Sequence, residues 1–249
     1  MPVLNLQSDS VKGDQGYMSD HANVGLELPR SVFPRAPVEN RFDVVLRIAR
    51  GRNVLHVGCS DAPYFEEQFA RGAHLHAELS KVAGRLVGVD VSKEGVAFLQ
   101  KVGFDNVICA DVERLDRCGL PPVFDLIVAG ELIEHLPNPV RALEAMRSVL
   151  APNGELLITV PNAFSMKAGL RALAGIEAVH KDHCYYFSPA TIGCLLHLAG
   201  FRIIDLRYYA SPPTSRRRGF IDRSVFSFLR KIWPWLSDGL VVRAGAKES

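Results

Sequence analysis

The sequence predicts an α/β fold with a doubly wound, mostly parallel sheet, and three observations carry this prediction. Apolar stretches typical of strands alternate with stretches of helical spacing along most of the 249 residues, as in parallel sheets with crossover helices. Residues 53–57 end abruptly at Gly58, as a buried strand does before a tight turn. Residues 85–90 form a second such strand that ends in Asp90. A carboxylate at that position is typical of a site for ribose hydroxyls.

The remaining elements follow in the same alternation. Strands are predicted at residues 53–57, 85–90, 107–110, 124–129, 155–160, 201–208 and 240–244. Helices are predicted at residues 41–50, 63–83 (interrupted near Gly72), 92–102, 139–150 and 188–199. Ser92 and Asn138 are the expected N-caps of two of them, and Pro139 suits the first helical position. The seven strands imply one domain over residues 41–249.

Composition narrows the class of protein. A formal charge of +2 gives no reason to expect nucleic acid as a partner. Five cysteines without a CxxC spacing argue against a zinc site or a disulfide framework, so we expect reduced thiols and a cytoplasmic location. No signal pattern and no apolar run of ~18 residues is present. A small-molecule substrate is therefore the expected partner, and a homo-oligomer is possible.

Two segments flank or interrupt the predicted domain. Residues 1–40 are polar and turn-rich, and they fit either a flexible arm or a lid over the site. Residues 211–238 are predicted as a helical insertion before the last strand. Within it, an apolar stripe at 220–235 follows the basic run 216–218, a pattern that suits a membrane surface or a partner. We expect the stripe to pack within the protein and predict no membrane binding.

Five motifs occur in an order found in one enzyme family. They are residues 54–59 (VLHVGC), 87–90 (VGVD), 109–112 (CADV), 124–136 (FDLIVAGELIEHL) and 150–161 (LAPNGELLITVP). On these motifs the chain resembles, over roughly residues 41 to 210, the class I S-adenosylmethionine (SAM) dependent methyltransferases of the ubiquinone/O-methyltransferase-like group. The resemblance implies a Rossmann-like seven-stranded sheet with an antiparallel last strand, and SAM as cofactor.

The resemblance also implies a set of cofactor-binding residues. They are Gly58, Cys59, Ser60, Asp90, Val91, Asp111, Val112, Gly130 and Glu131. In the family, the glycine lets the backbone approach the amino acid part of the cofactor, Asp90 accepts from the ribose, and Asp111 accepts from the adenine amino group. The chain departs from the family pattern at His56, where an acidic residue is usual, and at Ser60, where a second glycine is usual. Asp61 offers a replacement for the missing negative charge.

Two segments after the fourth and fifth strands supply candidate catalytic residues. His135 and His183 are predicted to reach the cavity, and we expect one of them to act as general base, because imidazole accepts a proton near neutral pH. His183 is favoured because Asp182 and the aromatic residues 185–187 suit a substrate wall.

Other polar residues receive a structural interpretation. Glu131, Glu134 and His135 have a spacing that suits a metal triad, as in some relatives, but we expect them to stabilise the turn and predict no metal. His74 and His76 are predicted to lie on a helix surface.

These residues predict a SAM-dependent methyltransferase that methylates a hydroxyl of a polar small molecule, such as a sugar of a glycan or natural product. Transfer to nitrogen or carbon would use the same cofactor site and is the alternative among enzymes. The departures at His56 and Ser60 leave a third alternative, a non-catalytic SAM-binding or scaffold protein.

Overall fold

The structure of the chain is a computed structural model that describes residues 38–121, 123–177, 179–211 and 226–247. Its strands are β1 (Val38–Glu39), β2 (Asn53–Val57), β3 (Arg85–Asp90), β4 (Val107–Cys109), β5 (Phe124–Gly130), β6 (Leu150–Pro161), β7 (Phe201–Tyr209) and β8 (Gly239–Ala246). Its helices are α1 (Arg41–Ala49), α2 (Phe65–Ala70), α3 (Leu75–Ser80), α4 (Lys93–Lys101), α5 (Pro139–Val149), α6 (Met166–Leu173), α7 (Pro189–Leu198) and α8 (Ser227–Ile232). Short 3₁₀ turns cover Val112–Arg117, Ile133–His135 and Pro234–Leu236.

All eight described strands form one sheet in the order β1-β7-β8-β6-β5-β2-β3-β4. Strand β8 runs antiparallel to both of its neighbours, and every other pair is parallel. The predicted Rossmann-like, mostly parallel sheet with an antiparallel last strand is therefore confirmed.

The predicted number of strands, seven, is wrong by one. The eighth strand is β1, which falls inside the predicted arm and pairs in parallel with Tyr208 and Tyr209 of β7. Glu39 holds it there, because its carboxylate pairs with Arg207 on β7 and with Arg47 on α1. A strand of two residues has no alternation of its own, so the sequence carries no pattern that would reveal it.

Local sequence explains where the helices begin. The Ser92 hydroxyl accepts from Gly95 N at 3.0 Å, and the Asn138 side chain accepts from Arg141 N at 3.3 Å, so both predicted N-caps are confirmed. Ser188 and Thr191 form a reciprocal capping box at the start of α7. The interruption predicted near Gly72 separates α2 from α3, and Gly72 has a φ of +65°.

Alternate residues of the central strands pack against opposite layers of helices. Leu55, Ile127 and Leu156 face a core that includes Leu143 of α5 and Leu196 of α7. Their neighbours along the strands face a second core with Val45 of α1 and Leu79 of α3; they are Val54, Leu126 and Leu157. Because both faces are covered, a ligand site is expected at the carboxyl edge of the sheet.

Parts of the two flanking segments lie outside the described residues. This applies to residues 1–37 of the predicted arm or lid and to residues 212–225 of the predicted insertion, with its basic run at 216–218. The described remainder of the insertion contains α8, where Arg230 pairs with Asp238 at 3.1 Å. None of the helices in the described ranges is long and apolar enough to cross a membrane.

Candidate functional site

A cavity of about 960 Å³ opens at the carboxyl ends of β2, β3 and β5. This volume lies at the upper end of the range of ligand pockets, ~300–1,000 Å³, so two small ligands have room there. One part, the glycine end, is lined by Gly58, Asp90, Asp111 and Gly130. The other part, the histidine end, is lined by His135, His180 and His183.

Two glycines keep the floor of the glycine end open. Gly58 has a φ of +69°, which disfavours any other residue, and a Cβ there would lie 3.1 Å from Leu132 Cδ1. A Cβ on Gly130 would lie 3.1 Å from Leu75 Cδ2. A ligand can therefore approach the backbone where β2 and β5 end.

Asp90 is fixed by the backbone of two turns. Its Oδ2 accepts from Ser60 N at 2.8 Å and its Oδ1 from Ser92 N at 2.9 Å. The side chain is nearly buried, yet it lines the cavity. A carboxylate offers about four acceptor sites, so two bonds leave capacity for a pair of ligand hydroxyls.

The next strand end provides another acceptor. Asp111 caps the turn Val112–Arg117, where its Oδ1 accepts from Glu113 N at 2.9 Å, and about half of the side chain remains exposed. Val112 is mostly buried and Val91 is largely exposed, and both line the cavity beside it. A flat apolar group would find both a hydrophobic face and a hydrogen-bond acceptor there.

Two predicted cofactor-binding residues do not line the cavity. The Cys59 side chain is fully buried, and burial raises the pKa of its thiol well above the ordinary value. The Ser60 side chain is also fully buried, and the residue contributes its backbone N–H to Asp90. Both side chains therefore pack beneath the loop after β2, away from the cavity.

Three histidines lie buried behind the glycine end. His74 and His76 are almost fully buried, so the prediction that they lie on a helix surface is wrong. His76 Nδ1 lies 3.2 Å from His56 Nδ1, with the rings stacked, and His74 Nε2 lies 3.2 Å from the Ser60 carbonyl oxygen. Burial, followed by the neighbouring histidines, lowers the pKa of His56 well below 6.5. Burial, followed by His74, lowers the pKa of His76 to about 4, so both rings are neutral near pH 7.

The reason for this error is the path of the chain after β2. The stretch between β2 and β3 forms two short helices, and His74 and His76 lie at the start of the second one, which packs on the sheet. His76 fills the space beside Gly88, where a Cβ would lie 2.8 Å from its Cε1. His56, at the position where the family usually has an acidic residue, thus contacts another imidazole and lies outside the cavity lining.

Further charged and polar groups line the cavity, and the sequence singled out Glu131 and Asp61 among them but not Arg41 or Tyr209. Glu131 has a φ of +52°, and its Oε1 accepts from the Tyr209 hydroxyl at 2.9 Å. Arg41, the first residue of α1, lies 3.6 Å from the same oxygen. Asp61, with a φ of +55°, lines the cavity nearby, and burial is the main cause that raises the pKa of its carboxyl. Arg41 and Tyr209 reach the site only through the fold, and no motif marks them.

The histidine end joins two loops that are distant in sequence. The ring centroids of His135 and His183 are 4.5 Å apart, and that of His180 lies 5.2 Å from His183. Burial and the two neighbouring imidazoles lower the pKa of His183 below 6.5. The predicted candidates are thus brought together, with His180 beside them. Tyr185 and Tyr186 are partly exposed but do not line the cavity.

Glu134 lies next to this cluster in sequence but is separate from it in space. Its side chain is fully buried, neither oxygen has a hydrogen-bond partner among the described residues, and burial raises its pKa to about 9. Its carbonyl oxygen accepts from Cys184 N at 2.8 Å, so it stabilises the junction of the two loops. A neutral, buried carboxyl fits the structural role expected for it.

Comparisons with known proteins agree with this geometry. A family model described as a methyltransferase domain matches residues 34–206. A ubiquinone biosynthesis O-methyltransferase from Chromobacterium violaceum is 25% identical over 203 residues, which are 76% of this chain and 82% of that protein.

Solved structures show the same fold. The chain matches a SAM-dependent methyltransferase from Archaeoglobus fulgidus with a TM-score of 0.52 and 17% identity, over 82% of this chain and 94% of that one. It also matches the cyclase SpnF with a TM-score of 0.52 and 18% identity, over 94% and 95% of the two chains. By the family match, which covers more than half of its residues, the chain belongs to the methyltransferase-domain family.

Proposed function

We propose that this SAM-dependent methyltransferase transfers the methyl group of its cofactor to a hydroxyl oxygen of a polar small molecule, such as a sugar of a glycan or natural product. One observation carries the proposal: a single cavity joins the glycine end, which suits the cofactor, to a cluster of imidazoles that suits a hydroxyl substrate. The second end would be unnecessary in a protein that only bound the cofactor.

The glycine end has groups for each part of the cofactor. Asp90 would accept from the ribose hydroxyls, and Asp111 from the adenine amino group, with Val112 along the ring. Gly58 leaves room for the amino acid part near the backbone. Arg41 would pair with its carboxylate, and Asp61 or Glu131 with its ammonium group, because these charged side chains line the same cavity.

The histidine end would accept the proton that the acceptor hydroxyl loses. The bound cofactor supplies a methyl group that its sulfonium already activates for displacement. The protein must therefore hold the acceptor oxygen in line and accept its proton. His183 is the favoured base, because its lowered pKa leaves the ring neutral at pH 7, and His135 stands beside it as the second candidate.

Two alternatives use the same cofactor site. Transfer to nitrogen or carbon would use the glycine end in the same way. It would differ in the proton transfer required of the histidines. A non-catalytic role was suggested by His56 and Ser60, but these side chains are buried and do not line the cavity. They therefore give no reason to prefer a non-catalytic role.

Titration with SAM followed by a methylation screen tests the proposal. Calorimetry should show one binding site, and a radiolabelled methyl group should then appear on a hydroxyl-bearing acceptor from a panel of sugars, phenols, amines and carbon acids. Absence of SAM binding would rule out the enzyme, and binding without transfer to any acceptor would favour the scaffold. Product analysis by mass spectrometry and NMR distinguishes oxygen from nitrogen or carbon as the methylated atom.

The expected surroundings are those of a reduced cytoplasm with a small-molecule partner. Cys59, Cys109, Cys118, Cys184 and Cys194 are all free thiols, which agrees with a reducing compartment. Localisation of a tagged full-length chain by fractionation tests this part of the proposal.

A further inference from the structure

The histidine end has the composition of a metal site. His135, His180 and His183 each offer one ring nitrogen, and the three nitrogens lie within 4.8 Å of one another. Among the described residues, no other group of three His, Cys, Asp or Glu side chains meets this condition. Nitrogens that share a tetrahedral ion at 2.0–2.1 Å lie about 3.4 Å apart, so the rings would need to approach one another by at most ~1.4 Å.

Hydrogen bonds hold the two loops together before any ion binds. The Cys184 N–H donates to the Glu134 carbonyl oxygen at 2.8 Å, and the Tyr185 hydroxyl donates to the Pro137 carbonyl oxygen at 3.2 Å. His135 Nδ1 lies 3.0 Å from the carbonyl oxygen of Asp182, which directly precedes His183 in the chain. The relative positions of the ligands are therefore largely fixed by the backbone.

The atoms around the rings resemble the outer shell of a metal site. Since a carbonyl oxygen can only accept, the contact with Asp182 places the proton of His135 on Nδ1 and leaves Nε2 free as a ligand. His180 Nδ1 accepts from the Asp182 backbone N–H at 3.4 Å, and the Asp182 carboxylate lies 3.7 Å from the same nitrogen, so Asp182 orients that ring. His183 Nδ1 is buried without a hydrogen-bond partner among the described residues.

We propose that His135, His180 and His183 bind a divalent transition metal ion such as Zn²⁺ at the histidine end of the cavity. Imidazole ligands suit Zn²⁺, Co²⁺ or Ni²⁺, whereas Mg²⁺ requires oxygen ligands that this cluster does not offer. The set differs from the Glu131, Glu134 and His135 triad considered from the sequence, because it takes two of its ligands from the loop between α6 and α7.

Binding of an ion would change how the acceptor hydroxyl loses its proton. Three protein ligands leave the fourth tetrahedral position to water or to an acceptor oxygen, whose proton becomes more acidic on the ion. The same ion would occupy the ring nitrogen that otherwise accepts the proton. The metal-free and metal-bound proteins are thus expected to give different pH profiles of methyl transfer.

Metal binding can be measured without any acceptor. The full-length, reduced protein is treated with EDTA, dialysed and titrated with Zn²⁺ by calorimetry, and with Co²⁺ by visible absorption. One Zn²⁺ per chain and tetrahedral Co²⁺ bands are expected. Each of His135→Ala, His180→Ala and His183→Ala should weaken Zn²⁺ at least tenfold. His180→Ala is the most informative, since the ring is exposed and carries no proposed role in proton transfer.

Two control variants separate this site from other metal-binding groups. His197→Ala, on α7 beside Lys247, and Cys184→Ser should leave Zn²⁺ binding unchanged. Equal binding by the wild type and the three cluster variants, with circular dichroism showing folded protein, would overturn the proposal. SAM binding is titrated in the same samples. If Zn²⁺ fails to bind at the three histidines while SAM still binds, the metal proposal is wrong and the methyltransferase assignment is unaffected.

Discussion

At the glycine end of the cavity the side chains lie at or directly after strand ends, whereas at the histidine end they lie on two loops that meet only in the fold. Asp90 receives two backbone N–H bonds, and Gly58 has a conformation fixed by its turn. His135 and His183 are 48 positions apart and depend on a few loop contacts. The first end is therefore held by backbone hydrogen bonds at the sheet edge, and the second by contacts between loops.

The largest effect is expected from removing the base at the histidine end. In metal-free enzyme, His183→Ala should lower the rate of methyl transfer by roughly 10²–10⁴-fold, because the general base that accepts the proton of the acceptor hydroxyl is removed. SAM affinity, measured by calorimetry, should remain nearly unchanged. His135→Ala tests the second candidate, and His197→Ala is the matched control. Wild-type rates for both cluster variants would show that alignment alone is sufficient.

The pH dependence of the same rate tests the identity of the base. A base works when deprotonated, so the single-turnover rate should rise with pH through the pKa of His183 and then level off. Since burial and the neighbouring imidazoles lower that pKa, the midpoint should fall below 6.5. A midpoint well above 7 in metal-free enzyme would contradict this assignment.

The histidines behind the glycine end should instead affect stability. The pKa of His76 falls from about 6.5 in the unfolded chain to about 4 in the folded protein, so the unfolded state binds more protons between these values. The contribution of the neutral His76 ring to the free energy of unfolding is complete above pH 6.5 and is lost as the pH falls towards 4. From pH 7 to pH 4.5, the free energy of unfolding should drop by on the order of 2–3 kcal/mol through this residue.

Urea denaturation at several pH values measures this loss. His76→Asn should flatten the decline of unfolding free energy below pH 6.5, whereas His197→Asn should leave its slope as in the wild type. If the two variants give equal slopes, the buried pair of His56 and His76 does not titrate as the structure indicates.

The two ends also differ in how far the sequence revealed them. Asp90 and Gly58 belong to short motifs in which strand, turn and ligand group are neighbours in the chain, so a local pattern identified them. The contact between His135 and His180 was not predictable, because it depends on a hydrogen-bonded junction of two loops. His74 and His76 were misplaced because the amphipathic pattern of a six-residue helix such as α3 is too short to reveal its buried face.

A smaller effect is expected from the ribose acceptor at the glycine end. Asp90→Ala should weaken SAM binding by about 2–3 kcal/mol, or roughly 30- to 150-fold, because charged hydrogen bonds to two hydroxyls are lost. Part of this loss comes from the loop, since Ser60 N and Ser92 N lose their acceptor. Glu94→Ala, on the next helix, is the control for the charge change. An unchanged dissociation constant in folded protein would refute the placement of the ribose.

The smallest effect is expected at the bond from Tyr209 to Glu131. The Tyr209 pKa lies well above 10, first because of burial and then because of the Glu131 carboxylate, so its hydroxyl remains a donor throughout the working pH range. Tyr209→Phe removes one hydrogen bond to an oxygen that Arg41 also approaches at 3.6 Å. A cost of about 1 kcal/mol, roughly fivefold in SAM affinity, is therefore expected. Calorimetry with Tyr208→Phe as the control checks it, since Tyr208 is fully buried and does not line the cavity. If the single-turnover rate at saturating SAM falls while the affinity for SAM is unchanged, Glu131 instead acts in methyl transfer, together with the histidines.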